Sequence, residues 1–143
     1  MRVTLADTGP IVAFLNGRDL YHRWAVEVLG QLRPPLLTCE SVLSEAAYLV
    51  RSLPAGGERV LELVARGVLR VELDLQREAA AVSRLLRRYA SLPMDLADAC
   101  LVRLSELHTD SVVLTIDSEF RDIYRRNGRQ VIPMLSPPVP RSR

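Results

Sequence analysis

Two apolar segments of this 143-residue chain run into an aspartate: Val3-Thr4-Leu5-Ala6-Asp7 and Val113-Leu114-Thr115-Ile116-Asp117. If the segments are neighbouring strands of a parallel sheet, both carboxylates leave the same edge about one strand spacing apart. Like charges resist that closeness unless a cation lies between them. Either aspartate alone has an ordinary explanation, because Asp after a strand commonly caps the next helix; as a pair they describe a site. Glu45 is the single charged residue between Ser41 and Val50. An ionised carboxylate in so apolar a helix either faces a cavity with a partner or metal, or occupies a narrow exposed stripe. Asp95 and Asp98 stand at i and i+3 near the start of a further helix and so share a face. The helix dipole accounts for Asp95, whereas Asp98 runs into Ala99-Cys100-Leu101-Val102 and heads for the core.

Other chemistries lack their residues. The chain has two cysteines, Cys39 and Cys100, and two histidines, His22 and His108, with no paired metal-ligand spacing among them, which argues against a zinc site. Both cysteines lie in apolar surroundings and read as reduced, buried thiols. All 19 basic residues are arginine, so Schiff-base chemistry, P-loop lysines and Ser-Lys dyads are excluded.

The elements that must position the carboxylates alternate in type. Strands are expected at Arg2 to Ala6, Leu36 to Thr38, Val68 to Leu73, Ser111 to Ile116 and Gln130 to Ile132. Helices are expected from Pro10 through Leu15, Tyr21 to Leu32, Ser41 to Ser52, Glu58 to Ala65, Gln76 to Tyr89, Ser91-Leu92-Pro93 through Leu107, and Ser118 to Arg126. Strands alternating with helices imply βα units, a mostly parallel sheet with helices on both faces, and a ligand site at the carboxyl ends of the strands where strand order reverses. With 48% hydrophobic and 25% charged residues the chain has the composition of one ordinary globular domain. Residues 1–135 would form that domain and 136–143 a Pro/Arg-rich tail. No apolar run is long enough to span a membrane. The first segment meets Asp7 and Pro10 too early for a signal peptide, so the expected location is cytoplasmic.

The residues gathered above resemble the PIN-domain family, and within it the small ribonucleases that act as VapC-class toxins of toxin-antitoxin pairs. The resemblance rests on four stretches in order. They are Leu5-Ala6-Asp7-Thr8, Thr38-Cys39-Glu40-Ser41-Val42-Leu43-Ser44-Glu45, Asp95-Leu96-Ala97-Asp98-Ala99, and Leu114-Thr115-Ile116-Asp117-Ser118-Glu119-Phe120. It spans Arg2 to about Pro133. What it implies is a three-layer α/β/α sandwich around a short mostly parallel sheet. Asp7, Glu45, Asp98 and Asp117 fall in the places of an acidic quartet that binds Mg²⁺ or Mn²⁺ and cleaves RNA. Asp95 matches a less uniformly acidic position, Glu40 competes with Glu45, and Thr8 and Thr115 match supporting hydroxyls. A homodimer and a cognate antitoxin are further implications. Oxygen-only ligands suit such a hard cation.

Carboxylates repel a phosphate backbone, so the arginines acquire a use. From Arg121 onward six arginines face one acid, Asp122, although the net charge of the chain is only +2. Arg84, Arg87 and Arg88 on one expected helix, and Arg121, Arg125 and Arg126 on another, are candidate RNA contacts or else solvated faces. Tyr21, Trp24 and Tyr89 are the candidates for base stacking or for packing. A catalytically idle PIN-like RNA-binding or scaffold module and a housekeeping nuclease remain alternatives. A phosphoacceptor receiver domain would need a lysine, and a flap-type nuclease a longer chain.

Overall fold

The computed structural model of the chain describes residues 2–138. In chain order the elements are β1 (Val3–Ala6), α1 (Thr8–Leu15), α2 (His22–Gln31), β2 (Leu36–Thr38), α3 (Glu40–Leu49), α4 (Gly56–Ala65), β3 (Leu69–Val71), α5 (Leu75–Arg88), α6 (Leu96–Leu107), β4 (Ser111–Leu114), α7 (Glu119–Asp122), β5 (Arg125–Arg126), β6 (Gln130–Val131) and β7 (Met134–Leu135). Five strands form one sheet in the order β3-β2-β1-β4-β7, and every pairing in it is parallel.

Parallel strands covered on both faces must be apolar throughout, and β2 and β4 are buried at every residue. The chain builds outward from β1 to β3 and then crosses back to β4. Right-handed crossovers therefore set α1 to α4 on one face and α5 and α6 on the other. The packing agrees, since α1 lies on α2 and α3, α3 on α4, and α5 on α6. The reversal of order falls between β1 and β4, which places a crevice beyond Ala6 and Leu114.

Helix α6 starts at Leu96, later than Ser91-Leu92-Pro93 suggests, because Asp95 and Asp98 form a reciprocal capping box that fixes the first turn. The C-terminal region departs further from expectation. The helix expected over Ser118 to Arg126 ends at Asp122, and Arg125–Arg126 instead pairs antiparallel with Gln130–Val131. Asn127 and Gly128 supply the turn, with φ of 52° and 70°. Arg126 is the reason the helix stops: its guanidinium is buried and donates to Thr109 O (2.7 Å), Ser111 O (3.1 Å) and Ser111 Oγ (2.9 Å). It is therefore a structural tie to the start of β4 and not the exposed RNA contact expected of it. The strand expected at Gln130 to Ile132 belongs to this hairpin. The fifth sheet strand comes after Pro133, at Met134–Leu135. The expected tail lies partly outside the described residues, which end at 138.

Phe120 and Tyr124 are fully buried, and Tyr124 packs edge-on against both Phe120 and Tyr89 with ring centroids 5.1 and 5.4 Å apart. Tyr89 is thus a core residue, and Trp24 also packs against the core. Cys39 and Cys100 are buried free thiols. His22 bonds through Nδ1 to Ala13 O at 2.7 Å, which ties α2 to α1.

The first turn of α4 offers a sharp test of packing. A Cβ on Gly56 would overlap the Val50 carbonyl, whereas one on Gly57 meets open space. Gly56→Ala should lower unfolding free energy by about 1–3 kcal/mol, and Gly57→Ala should leave it equal or raise it by up to about 1 kcal/mol. Urea denaturation of the two variants side by side checks this, and equal stabilities would contradict the close approach.

Candidate functional site

Asp7 follows the last residue of β1, and its backbone N–H still donates to Leu114 O at 3.0 Å, extending the ladder with β4. Its side chain has two local duties. Oδ1 accepts from Thr8 N at 2.8 Å and so caps α1, and Oδ2 accepts from Thr115 Oγ1 at 2.6 Å. The same Thr115 hydroxyl accepts from Asp117 N at 2.9 Å, and Asp117 Oδ1 accepts from Glu119 N at 2.9 Å. One threonine thus sets the positions of both strand-terminal aspartates. Thr8 Oγ1 donates to Glu45 Oε2 at 3.2 Å and brings α3 to the same place.

Asp98 arrives from α6. Its backbone N–H donates to Asp95 Oδ1 at 2.8 Å, while Asp98 Oδ2 accepts from Asp95 N at 3.1 Å and from the Tyr124 hydroxyl at 3.2 Å. The aromatic cluster below the cleft therefore ends in a hydroxyl that fixes this carboxylate.

Asp7, Glu45, Asp95, Asp98, Asp117 and Glu119 all line one open cleft of about 390 Å³, whose floor includes Thr8 and Gly9. Glu119 was absent from the expected set; the Asp-Ser-Glu sequence after β4 was its only signal. Glu45 stands on the exposed side of α3 and still reaches the cleft. Glu40, the rival, lines an adjacent and more apolar hollow with Cys39, Leu73 and Leu75. Among the described residues no cationic side chain lines the acidic cleft. No group of three acidic, His or Cys side chains stands close enough together there to enclose an ion unaided.

The electrostatics follow from this arrangement. Burial pushes the Asp7 carboxyl up to about 6, against the lowering effect of the Thr115 and Thr8 hydrogen bonds, and the charges of Asp117 and Glu45 add to the rise. Asp98 is pushed up to about 7, first by burial and then by the charges of Asp95 and Asp7, while the Asp95 N–H lowers it. Asp117 is also raised, by burial and by Asp95.

The arginines divide. Arg84, Arg87 and Arg88 are exposed on α5. Arg121 pairs with Asp122 at 3.0 Å and borders a small hollow beside Asp117, together with Tyr21. Arg125 Nη1 is occupied by the carbonyls of Arg121 and Tyr124 at 3.0 and 2.9 Å, and Arg126 is buried. Of the three stacking candidates, Tyr21 is the one beside the cleft.

A PIN domain family profile matches residues 4–126, and the chain belongs to that family. Among solved structures, the VapC20 toxin of Mycobacterium tuberculosis, described as cleaving the sarcin-ricin loop, matches with a TM-score of 0.69. That match has 19% identity and covers 81% of this chain and 91% of the toxin, a likeness of fold. No curated protein sequence matches the chain. No helix among the described residues is long and apolar enough to cross a membrane.

The raised carboxyls predict a pH dependence for the metal-free protein. Asp7 and Asp98 hold their protons more tightly folded than unfolded, so their ionisation destabilises the fold progressively as pH rises from about 4 through 6 and 7. Urea denaturation in EDTA should show stability lower at pH 8 than at pH 5 by on the order of 4 kcal/mol from these two groups. Asp98→Asn should shrink that difference and stabilise the protein at pH 8. An unaltered pH profile in the variant would contradict the assignment.

Proposed function

We propose that the protein is a Mg²⁺- or Mn²⁺-dependent endoribonuclease acting as the toxin of a toxin-antitoxin pair. The observation that carries this reading is the convergence of Asp7, Glu45, Asp98 and Asp117 from four separate elements on one cleft at the reversal of strand order, with Asp95 and Glu119 at its rim. PIN family membership supports it, and so does the fold shared with a toxin described as cleaving the sarcin-ricin loop.

The donor set fits a hard divalent cation that keeps part of its water shell. Every side-chain donor in the cleft is an oxygen, and Asp7 and Asp98 carry raised pKa values that a nearby cation would lower. Asp7, Asp98, Asp117 and Glu45 would hold it, with Asp95 as a further contact. When bound, such an ion would lower the pKa of water and stabilise charge on a phosphodiester's leaving oxygen.

The chain's own residues do the positioning. Thr115 fixes the Asp7 carboxylate and the Asp117 backbone at once, so the two acids keep a set separation as substrate enters. Tyr124 holds Asp98 from below and Thr8 holds Glu45 from the side. Cleavage requires no protein nucleophile, in keeping with a cleft lined by neither Cys, His nor Lys. Within the toxin reading the antitoxin and a second copy of the chain are the expected protein partners.

Cleavage of RNA should need added Mg²⁺ or Mn²⁺ and stop in excess EDTA. Asp7→Asn and Asp117→Asn should each reduce turnover by at least about 100-fold while the proteins melt at or above the wild-type temperature, because each loses a repelled charge. Glu45→Gln and Asp98→Asn should behave alike, with Asp95→Asn milder. A gel assay on a mixed-sequence RNA with parallel melting curves checks this. Undiminished cleavage in EDTA, or in either Asp variant, would overturn the reading.

A further inference from the structure

A second hollow of about 390 Å³ lies along α5 and α6, lined by Arg84, Arg88, Arg103, Glu106, Asn127 and Gly128. Glu106 follows Asp98 by eight residues on α6, about 12 Å along the helix away from the acidic cleft. The charges in this hollow are unequally satisfied. Arg103 is answered twice, by Glu78 at 2.7 Å and Glu106 at 3.2 Å. The other oxygen of Glu106 accepts from Asn127 N at 2.9 Å, so both oxygens of the one acid that lines the hollow among the described residues are engaged. Arg84 and Arg88, one turn apart on α5, have no ion-pair or hydrogen-bond partner among the described residues. They leave the hollow with two uncompensated guanidinium groups.

The backbone keeps room for one of them. The Arg88 guanidinium rests against Gly128, where a Cβ would overlap it, and Gly128 sits at φ 70°, which favours glycine. Two guanidinium forks on one concave wall match the several oxygens of a phosphodiester better than a single carboxylate.

We propose that the hollow between Arg84 and Arg88 is an exosite for a backbone phosphodiester of the RNA, several nucleotides from the bond held at the acidic cleft. The proposal rests on the nuclease reading for the identity of the strand, and on the hollow alone for the chemistry. It requires a substrate long enough to reach both places.

The test separates binding from chemistry. A fluorescein-labelled, mixed-sequence single-stranded RNA is titrated with protein in EDTA across a salt series. Relative to wild type, the Arg84→Gln/Arg88→Gln pair should weaken Kd about tenfold at low salt. It should also flatten the slope of log K against log salt by about 1.4, two contacts at about 0.7 each. Arg84→Lys/Arg88→Lys, which keeps the charge, should recover most of the slope. Arg87→Gln, on the same helix outside the hollow, should change it by less than half as much. Melting curves should shift little, since neither arginine has an ion-pair or hydrogen-bond partner among the described residues. With Mg²⁺ present, the double Gln variant should raise KM and keep kcat. An unchanged slope overturns the proposal even if the wild type cleaves RNA. Arginine-dependent binding by a wild type that never cleaves removes the nuclease reading and leaves the exosite standing. Equal, Arg84/Arg88-dependent displacement of the RNA by a Glu-rich peptide would assign the hollow to an acidic protein segment and overturn the proposal.

Discussion

The pairing of β1 with β4 is the joint on which the molecule depends. Val3 to Ala6 run beside Ser111 to Leu114 in register, at the place where the order of strands reverses. One residue further, the ladder passes from backbone to side chain: Asp7 N still donates to Leu114 O, and Thr115 Oγ1 donates to the Asp7 carboxylate. The same hydrogen-bonding geometry that makes the sheet therefore delivers the first two carboxylates. Anything that shifted β1 against β4 by a residue would separate them, because side chains alternate faces along a strand.

Each aspartate in the cleft also performs a local structural task. Asp7 caps α1, Asp95 and Asp98 cap α6 together, and Asp117 accepts from the Glu119 N–H at the start of α7. These bonds lower the cost of ionisation and fix orientation, yet burial and mutual repulsion outweigh them at Asp7 and Asp98, whose pKa values remain raised. The cleft is thus held in a geometry that is unfavourable for the bare chain, the condition under which a bound cation gains the most from entering.

Support for this arrangement comes from the opposite end of the chain's hydropathy range. Phe120 and Tyr124 are fully buried and Tyr89 nearly so, and the hydroxyl of Tyr124 reaches Asp98. Arg126 ties the following hairpin to Ser111 and Thr109, at the entry to β4. The positive charge of the C-terminal region is therefore partly structural. Arg126 and Arg125 serve the fold, Arg121 has a carboxylate beside it, and Arg84 and Arg88 on α5 have no ion-pair partner among the described residues.

The βα alternation, most of the element order and the strand-terminal positions of Asp7 and Asp117 are legible along the chain alone, because apolar periodicity and the residue after a strand are local properties. Leu36–Thr38 appears with the bounds its apolar run predicts, and α2, α4 and α5 begin and end within two residues of theirs. What lacks a local signal was decided by tertiary structure. A two-residue strand such as Met134–Leu135 has no period of its own and exists because Val113 and Leu114 offer it a partner. The segment from Ile123 to Arg126 reads as helix until the buried acceptors at Thr109 and Ser111 draw Arg126 inward. Whether Glu40 or Glu45 reaches the cleft, whether Tyr89 faces solvent, and whether Glu119 belongs to the site depend on which element lies opposite. Helix and strand periods assign a residue to a face, and only the packing of one face on another determines what that residue meets.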